Sequence, residues 1–451
     1  SMGGRSTVLT SIDPRIKASS PSVGGSGFLY QDQWGLKGSA RRMKAEDGLA
    51  LYEKTVSAQA YWPHIKAPTL FLAASNDFNS PTELVVKGMS LLPKATDSRL
   101  AMAPHLNHRF TTGTDNARLL WMMAHLKGNF EFPKQSKAQL KLKTTNGIPV
   151  FSVEVDTSTK HKVKKVDIYY GYTRDPRVRF WRSPKPHVNG NTYSAHCPVF
   201  DTNEPLFAFA NITYEIDQTL PRRPGHPASM LMTLSSNYIT ALPEDLKNAA
   251  VKATEKARRV IDNFSKGMQG WYILNGNNHH HWNDTTRKLI DPSWVGPKDG
   301  KLAVVLETTK ENELLGMVIN TNTWQSYTGR RPDTFFTVIK LPKAGLNSFH
   351  LSASDFKNDK GESLKDWDEI TELSFTPSAR LKNKDAPKQE WQGKAPTLKK
   401  LSWQEGKFIK RPYPHESRTK YPVATAQEFE DEFQKAIDDS VELEKKDEKL
   451  K

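Results

Sequence analysis

The period of the hydrophobic pattern changes near residue 134, and this change most constrains the fold. Before it, buried strand runs such as APTLFLAASND alternate with helical stretches such as TDNARLLWMMAHLKG. Strands that alternate with helices predict a parallel sheet covered by helices on both faces. After residue 134, apolar and polar residues alternate in short segments divided by Asn-Gly and Pro/Asp turns. That period of two predicts β-sandwiches, so we expect a multidomain chain whose α/β part comes first.

The domain boundaries follow from the same pattern. Short alternating strands such as FSVEVDT and KVDIYYGYT predict an immunoglobulin-like sandwich, and a later β-rich stretch with many turns predicts a jelly roll. A capping box at Thr425 and Glu428 predicts a final helix. The predicted segments are 1–133, an α/β domain; 134–217, the immunoglobulin-like sandwich; 218–258, a connector; 259–376, the jelly roll; 377–424, a basic linker; and 425–451, a C-terminal helix and tail.

Composition narrows the possible partners. The chain has 451 residues, is 37% hydrophobic and contains 11 tryptophans, so it can build globular cores, and no apolar run approaches the roughly 20 residues of a membrane span. Its net charge of +15 is concentrated in residues 377–420, with 12 basic residues against four acidic ones. Trp391, Trp403 and Tyr413 in this stretch could stack on nucleic acid or anchor it to a neighbouring domain. Because no nucleic-acid-binding motif accompanies them, we expect no nucleic-acid partner.

Three residue positions suggest acyl-ester chemistry. Hydrolysis by a serine nucleophile needs a base and an acid that orients the base, and in α/β-hydrolases the chain order is Ser, Asp, His. Asp77 follows the strand PTLFLAAS, and His105 and His108 follow the strand RLAMA. We predict His108 as the base, because the stretch PHLNH is similar to the loop that presents the histidine in such enzymes. Structural loop roles for both histidines, and a turn role for Asp77, are the alternatives.

The nucleophile candidate is Ser1. The stretch SMGG matches the second half of G-x-S-x-G, the sharp strand-to-helix turn that exposes a hydrolase serine. Two other interpretations stay open. Ser1 could be a residue left from cloning, or it could be an N-terminal nucleophile that uses its own amine as the base.

The stretches SMGGRSTVLTSIDPRIKASSPSVGGSG, APTLFLAASNDFNSP and MAPHLNHRF resemble the acetyl xylan esterase and dienelactone hydrolase-like branch of the α/β-hydrolases. The resemblance implies that residues 1–133 are the C-terminal part of an α/β-hydrolase domain. It also implies a triad of Ser1, Asp77 and His108, with the backbone N–H of Met2 as half of an oxyanion hole. The resemblance further implies that the protein is a periplasmic or secreted bacterial enzyme that removes acyl groups from a polysaccharide.

The same resemblance implies that strands before the nucleophile are missing. We therefore expect a fragment cut at the nucleophile turn, with residues 1–133 inactive and poorly stable alone and the β-domains folding independently. A serine peptidase of the prolyl oligopeptidase-like branch is an alternative enzyme.

The jelly-roll segment resembles a galactose-binding-like carbohydrate-binding module, through IDNFSKGMQGWYILNGNNHHHWNDTT and the later DF…G…W…I pattern. Aromatic faces stack on sugar rings, so a non-catalytic sugar-binding or scaffold protein is the second hypothesis. The stretch His279–His281 could suggest a metal, but neighbouring strand residues point to opposite faces, so we expect no metal and no cofactor. The predicted substrate-binding residues are His105, Trp34, Trp271, Trp282, Trp294 and Trp324.

Overall fold

The structure is a computed structural model, and it describes residues 2–27, 46–77, 80–172, 176, 179–224, 226–273, 282–321, 333–368 and 370–409. Several predictions concern residues outside these ranges. They are Ser1, Trp34, Tyr413, Trp324, the stretch His279–His281, most of the connection after residue 409, and the C-terminal helix of residues 425–451.

The first part of the chain, up to residue 133, holds helices and two strands. Two short 3₁₀ turns, Ala58–Ala60 and Trp62–His64, precede the first strand. In chain order the elements are α1 (Met2–Thr10), α2 (Glu46–Thr55), β1 (Thr69–Ala74), α3 (Thr82–Met89), β2 (Ser98–Ala103) and α4 (Thr112–Lys127).

Strands β1 and β2 pair in parallel, with Phe71 opposite Leu100 and Leu72 opposite Ala101. Successive side chains point to opposite faces of a strand. Leu70 and Leu72 therefore pack with Trp121 of α4 in one core, whereas Phe71 and Ala73 pack in a second core with residues of α1 and α3. The alternating direction of the side chains in β1 and β2 therefore places α4 on one face of the strand pair and α1 and α3 on the other.

Beyond β2 the sheet continues into the next part of the chain. Strand β9 (Ser229–Ser235) pairs antiparallel with β2 at Leu100 and Ser235, and the Ser235 hydroxyl accepts the Met102 N–H at 2.8 Å. Within this sheet, the described residues pair in parallel between β1 and β2 and at two single-residue bridges from β1 to Ser19 and Ser22. The prediction of a parallel sheet is thus corrected to a mixed sheet, and the predicted boundary at residue 134 runs through it.

The first sandwich consists of this mixed sheet and a second, four-stranded sheet. The strand order is β1-β2-β9-β8-β10 with β5 on the other side of β8, facing β3-β4-β7-β6. Phe151 and Val153 of one sheet share a core with Ile168 and Ile212 of the other. The remaining elements are β3 (Lys137–Lys141), β4 (Val150–Glu154), β5 (Lys162–Gly171), β6 (His187–Asn189), β7 (Thr192–His196), β8 (Leu206–Leu220), β10 (Ile239–Ala241) and α5 (Pro243–Asn248).

The predicted connector of residues 218–258 is therefore wrong for much of its length. It contains β9, β10 and α5, and Leu246 of α5 is buried in the first core. The sequence pattern did not reveal this, because β9 is exposed at its start and buried only over its last four residues, so it lacks a regular alternation.

The second sandwich is a jelly roll. Its sheets have the orders β11-β19-β14-β17 and β12-β13-β18-β15-β16 around a single core. Strand β12 is an extra strand at the edge of its sheet, and eight described strands remain without it. Numbered along the chain, these eight lie in the orders 1-8-3-6 and 2-7-4-5, which is the jelly-roll arrangement. The strands are β11 (Val260–Asp262), β12 (Trp271–Ile273), β13 (Asp284–Thr286), β14 (Lys301–Thr308), β15 (Glu313–Thr321), β16 (Asp333–Leu341), β17 (Gly345–Leu351), β18 (Ile370–Pro377) and β19 (Thr397–Gln404), with 3₁₀ turns Lys288–Ile290, Ala353–Asp355 and Ser378–Arg380.

The basic linker predicted for residues 377–424 is wrong up to residue 404. Strand β19 lies between β11 and β14 inside a sheet, and Trp391 and Trp403 are buried in the jelly-roll core. The basic residues misled the prediction because strand β19 itself carries two of them, Lys399 and Lys400, which are exposed to solvent. Lys399 pairs with Glu307 at 2.8 Å. What the sequence predicted coarsely is confirmed: the protein is multidomain and built mostly from β-sandwich sheets.

Candidate active site

The predicted acid and base meet at the carboxyl ends of the two parallel strands. His108 Nδ1 lies 3.1 Å from Asp77 Oδ2 and 3.3 Å from Oδ1. The Asp77 side chain is fully buried, whereas that of His108 is 26% exposed. An ionised carboxylate can only accept hydrogen bonds, so it holds the proton on Nδ1 and leaves the lone pair on Nε2. That is the tautomer a general base requires.

The loop that carries His108 is held in an unusual backbone conformation. His105 and His108 both have positive φ angles, 60° and 54°, which cost free energy for residues other than glycine. Surrounding hydrogen bonds offset this cost. The His105 N–H donates to the Ser75 hydroxyl at 2.8 Å, and the Asn76 N–H donates to the Leu106 carbonyl at 3.0 Å. The histidine loop is therefore tied to the loop of Asp77.

The Asn76 side chain connects the site to the first sandwich. Its amide donates to the carbonyls of Pro176 and Arg179, both at 2.8 Å, and its oxygen accepts from the Ser75 hydroxyl at 2.9 Å. Asn76 is fully buried. The sequence analysis missed this residue, since its partners lie about 100 positions away in the chain.

The jelly roll also reaches the histidine loop. Arg287 donates to the His105 carbonyl at 2.9 Å and to Glu372 at 2.9 Å. Tyr272 donates to the same carboxylate at 2.6 Å, and its ring lies 4.6 Å from the Arg287 guanidinium carbon. Arg287 is 5% exposed. A buried cation of the second sandwich therefore braces the loop that presents His108.

His105 occupies a different environment from His108. It is 8% exposed, and its ring centroid lies 5.3 Å from Phe180 and 6.2 Å from Tyr169. Burial, with the nearby positive charges of Arg287 and Lys288, lowers the pKa of His105 to about 3. Its Nε2 has no hydrogen-bond partner among the described residues. The structure thus places His108 on Asp77 and keeps His105 neutral in an aromatic pocket.

Helix α1 begins beside the same edge of the sheet. A Cβ atom placed on Gly4 would lie 2.4 Å from the Gly24 carbonyl oxygen and 2.7 Å from that of Ser22. Gly24 follows the strand segment that bridges in parallel to β1, so it marks the carboxyl edge of the sheet. Met2, whose side chain is 86% exposed, is the first residue of the helix. Its role in an oxyanion hole stays a prediction.

Two of the predicted sugar-binding tryptophans belong to the jelly-roll core. Trp271 and Trp282 are 7% and 4% exposed; Trp271 donates to Asp262 at 2.9 Å, and Trp282 packs edge-on against Trp391. Covered rings cannot present a face to a sugar, so this prediction is corrected for both. Trp294 is half-buried.

The described residues contain no group of three His, Cys, Asp or Glu side chains that could hold a metal ion. Within the same part of the chain, no helix is both long enough and apolar enough to cross a membrane.

Comparison with known proteins gives little guidance. No family model matches the chain, and no curated protein matches it, so the predicted relation to the α/β-hydrolases has no support from a family match. Among solved structures, a study of carbohydrate-binding modules of the β-sandwich superfamily gives a match with 8% identity over 61% of this chain and 100% of the other, at a TM-score of 0.17.

An uncharacterised protein from Burkholderia cenocepacia is also similar, with 9% identity over 64% of this chain and 88% of that chain, at a TM-score of 0.16. TM-scores this low do not establish a common fold.

Proposed function

We propose that the protein is a serine hydrolase of carboxylic esters in which Asp77 orients His108 and His108 activates Ser1. The observation that carries the proposal is the 3.1 Å contact between His108 Nδ1 and the buried carboxylate of Asp77 at the carboxyl ends of adjacent parallel strands. Helix α1, which begins one residue after Ser1, packs at the same edge. Acyl transfer requires a nucleophile, a base and an acid that orients the base, and the chain order Ser1, Asp77, His108 is the one that α/β-hydrolases use.

In the proposed reaction, the Ser1 hydroxyl attacks the ester carbonyl while His108 Nε2 takes its proton. Asp77 stabilises the imidazolium that forms. The tetrahedral intermediate collapses, the alcohol leaves with the proton from His108, and water then hydrolyses the acyl-serine by the same route in reverse. Acylated polysaccharide is the proposed substrate class, on the basis of the sequence resemblance.

A fluorophosphonate probe tests this proposal, because it reacts with an activated serine and loses fluoride. In the full-length protein, we expect the probe to label Ser1, as identified by peptide mapping. Asp77→Asn and His108→Gln should slow labelling by about 10²- to 10⁴-fold, and Ser1→Ala should abolish it.

The chain offers a matched control in a second aspartate and histidine, Asp97 and His125, whose side chains lie 4.0 Å apart. Asp97→Asn and His125→Gln should leave the labelling rate unchanged. Labelling of other serines only, or equal loss in both pairs, would contradict the proposal.

A second candidate function is sugar binding without catalysis. Its support is the jelly-roll strand order of residues 260–404, a fold used by many carbohydrate-binding modules. A glycan array probed with the whole chain tests it. We expect binding to a defined group of glycans, and we expect His108→Gln to bind them equally well. Absence of binding to every glycan on the array would exclude this function.

A further inference from the structure

A groove lies between the two sandwiches on the side of the molecule that holds Trp294. Phe180, Arg182 and His196 of the first sandwich face Lys266, Lys288 and Trp294 of the second across a cavity of about 420 Å³. A neighbouring cavity of about 600 Å³ shares Arg258, Lys266 and Trp294 with it. We call the two cavities together the interdomain groove. Cavities of this size accommodate one or a few sugar residues or a small molecule.

The charge of the interdomain groove is positive. Its lining contains five basic side chains and two acidic ones, Glu255 and Asp262. Arg182 pairs with Asp291, which is buried behind the lining, and Lys288 pairs with Asp262. Lys266 is exposed and makes no ion pair with the described residues. An uncompensated cation beside buried ion pairs creates a local field that favours an anion.

The groove also offers hydrogen-bond donors that lack acceptors. Ser183 and Gln269 line the first cavity and are half-buried, and their side chains make no hydrogen bond to the described part of the chain. A hydroxyl and a carboxamide without protein partners can donate to a ligand that is rich in oxygen acceptors.

The arrangement of the aromatic rings in the groove favours a sugar over a nucleic-acid base as the ligand. The rings of Phe180 and Trp294 are nearly perpendicular, with an interplanar angle of 86° and centroids 5.2 Å apart. They therefore do not form a parallel slot that could hold a planar base between two faces. Arg182 and Lys288 lie over the Trp294 ring, 5.1 and 5.4 Å from its centroid. This combination of an aromatic ring with adjacent cations suits a sugar that carries a negative charge.

We propose that the interdomain groove binds an anionic sugar residue, with its carboxylate or sulfate near Lys266 and its ring against Trp294. This extends the sugar-binding candidate by naming the site and the charge of the sugar, and it does not require that the chain hydrolyse an ester. Ser183 and Gln269 supply donors to the ring and exocyclic oxygens.

Isothermal titration of the whole chain tests the proposal with four probes: a tetragalacturonate, a sulfated galactan tetrasaccharide, the neutral maltotetraose, and a single-stranded oligothymidylate. We expect at least one anionic tetrasaccharide to bind at least about tenfold more tightly than maltotetraose, the factor that one charged hydrogen bond commonly supplies. The two anionic probes distinguish a carboxylate from a sulfate. Lys266→Glu should weaken this binding at least about tenfold, and Gln269→Ala should weaken it less.

Lys247→Glu is the matched control, because Lys247 is an exposed lysine of α5 outside the groove. It should change the affinity less than about twofold. Equal binding of the anionic and neutral sugars would overturn the anionic groove while leaving the sugar-binding candidate intact. Absence of binding by all sugars would overturn both, and tighter binding of oligothymidylate would show a nucleic-acid site instead. Unchanged affinity in Lys266→Glu would place the sugar elsewhere.

Discussion

The two ends of the β1–β2 pair each bring an aspartate and a histidine together, but in different environments. At the carboxyl end, the fully buried Asp77 lies 3.1 Å from His108. At the amino end, Asp97 is 44% exposed and lies 4.0 Å from His125. Burial lowers the pKa of His125 despite the opposing effect of Asp97, so that pair carries little charge–charge attraction at neutral pH.

The surroundings of each pair, rather than its composition, determine whether the pair is suited to catalysis. The carboxyl end has two loops tied together through Ser75 and Asn76, and both sandwiches contact those loops. At the amino end, Asp97 pairs with Arg99 and the His125 ring packs against Trp121, but the Asp97 side chain stays 44% exposed. A carboxylate held in place by its neighbours can fix the tautomer of a histidine, which a mobile surface carboxylate cannot.

The largest expected effect on stability comes from removing the brace at the carboxyl end. Arg287→Met leaves Glu372 buried without its cation, and breaking a buried ion pair in this way costs about 3–5 kcal/mol of unfolding free energy. Urea denaturation measures it. The amino-end control, Asp97→Asn, should cost less than about 1 kcal/mol.

Replacing both partners, Arg287→Met with Glu372→Leu, should recover much of the loss, because no charge then remains buried. If Arg287→Met behaved like Asp97→Asn, the brace would contribute nothing and the contrast between the two ends would disappear.

The next effect concerns the docking of α1 at the carboxyl end. Gly4→Ala should lower the unfolding free energy by about 1–3 kcal/mol, because its Cβ would overlap the backbone carbonyls of Ser22 and Gly24. Gly3→Ala in the same helix is the control. Gly3 is exposed, so alanine should stabilise the helix by about 0.5–1 kcal/mol. Thermal unfolding of both variants measures the difference, and equal shifts would argue against the tight packing.

His105 should make stability depend on pH. Its pKa of about 3 in the folded protein lies below the ordinary value of 6.5, so between these values the unfolded chain binds a proton that the native state does not. The contribution of His105 to the unfolding free energy is therefore fully present above about pH 6.5 and decreases as the pH falls below that value.

Between pH 6.5 and 4.5, urea denaturation should show about 2 kcal/mol more loss in the native sequence than in His105→Gln. His125→Gln at the amino end should change the pH dependence less, because His125 is less buried. Equal pH dependence in the native sequence and His105→Gln would show that His105 is not held neutral.

The sequence predicted what depends on local pattern. Strand runs followed by polar loops located Asp77 and His108, and the alternating strands of residues 301–341 located much of the jelly roll. It did not predict the brace by Arg287, which lies 182 residues from His105, or the continuation of the sheet from β2 into β9. Contacts between distant residues leave no periodic signal in a single sequence.

The prediction that Trp271 and Trp282 bind sugar was wrong for a related reason. Large aromatic residues serve cores and binding faces equally well, and only packing distinguishes Trp271 and Trp282 in the core from the half-buried Trp294.

The kcat/KM of ester hydrolysis by the full-length protein, with one variant at each end of the sheet, tests whether the carboxyl-end pair is catalytic. With p-nitrophenyl acetate, His108→Gln should lower kcat/KM by about 10²- to 10⁴-fold, and His125→Gln should leave it within about twofold. Circular dichroism would verify that both variants are folded. A His108→Gln variant as active as the His125→Gln variant would contradict a catalytic role for the carboxyl end.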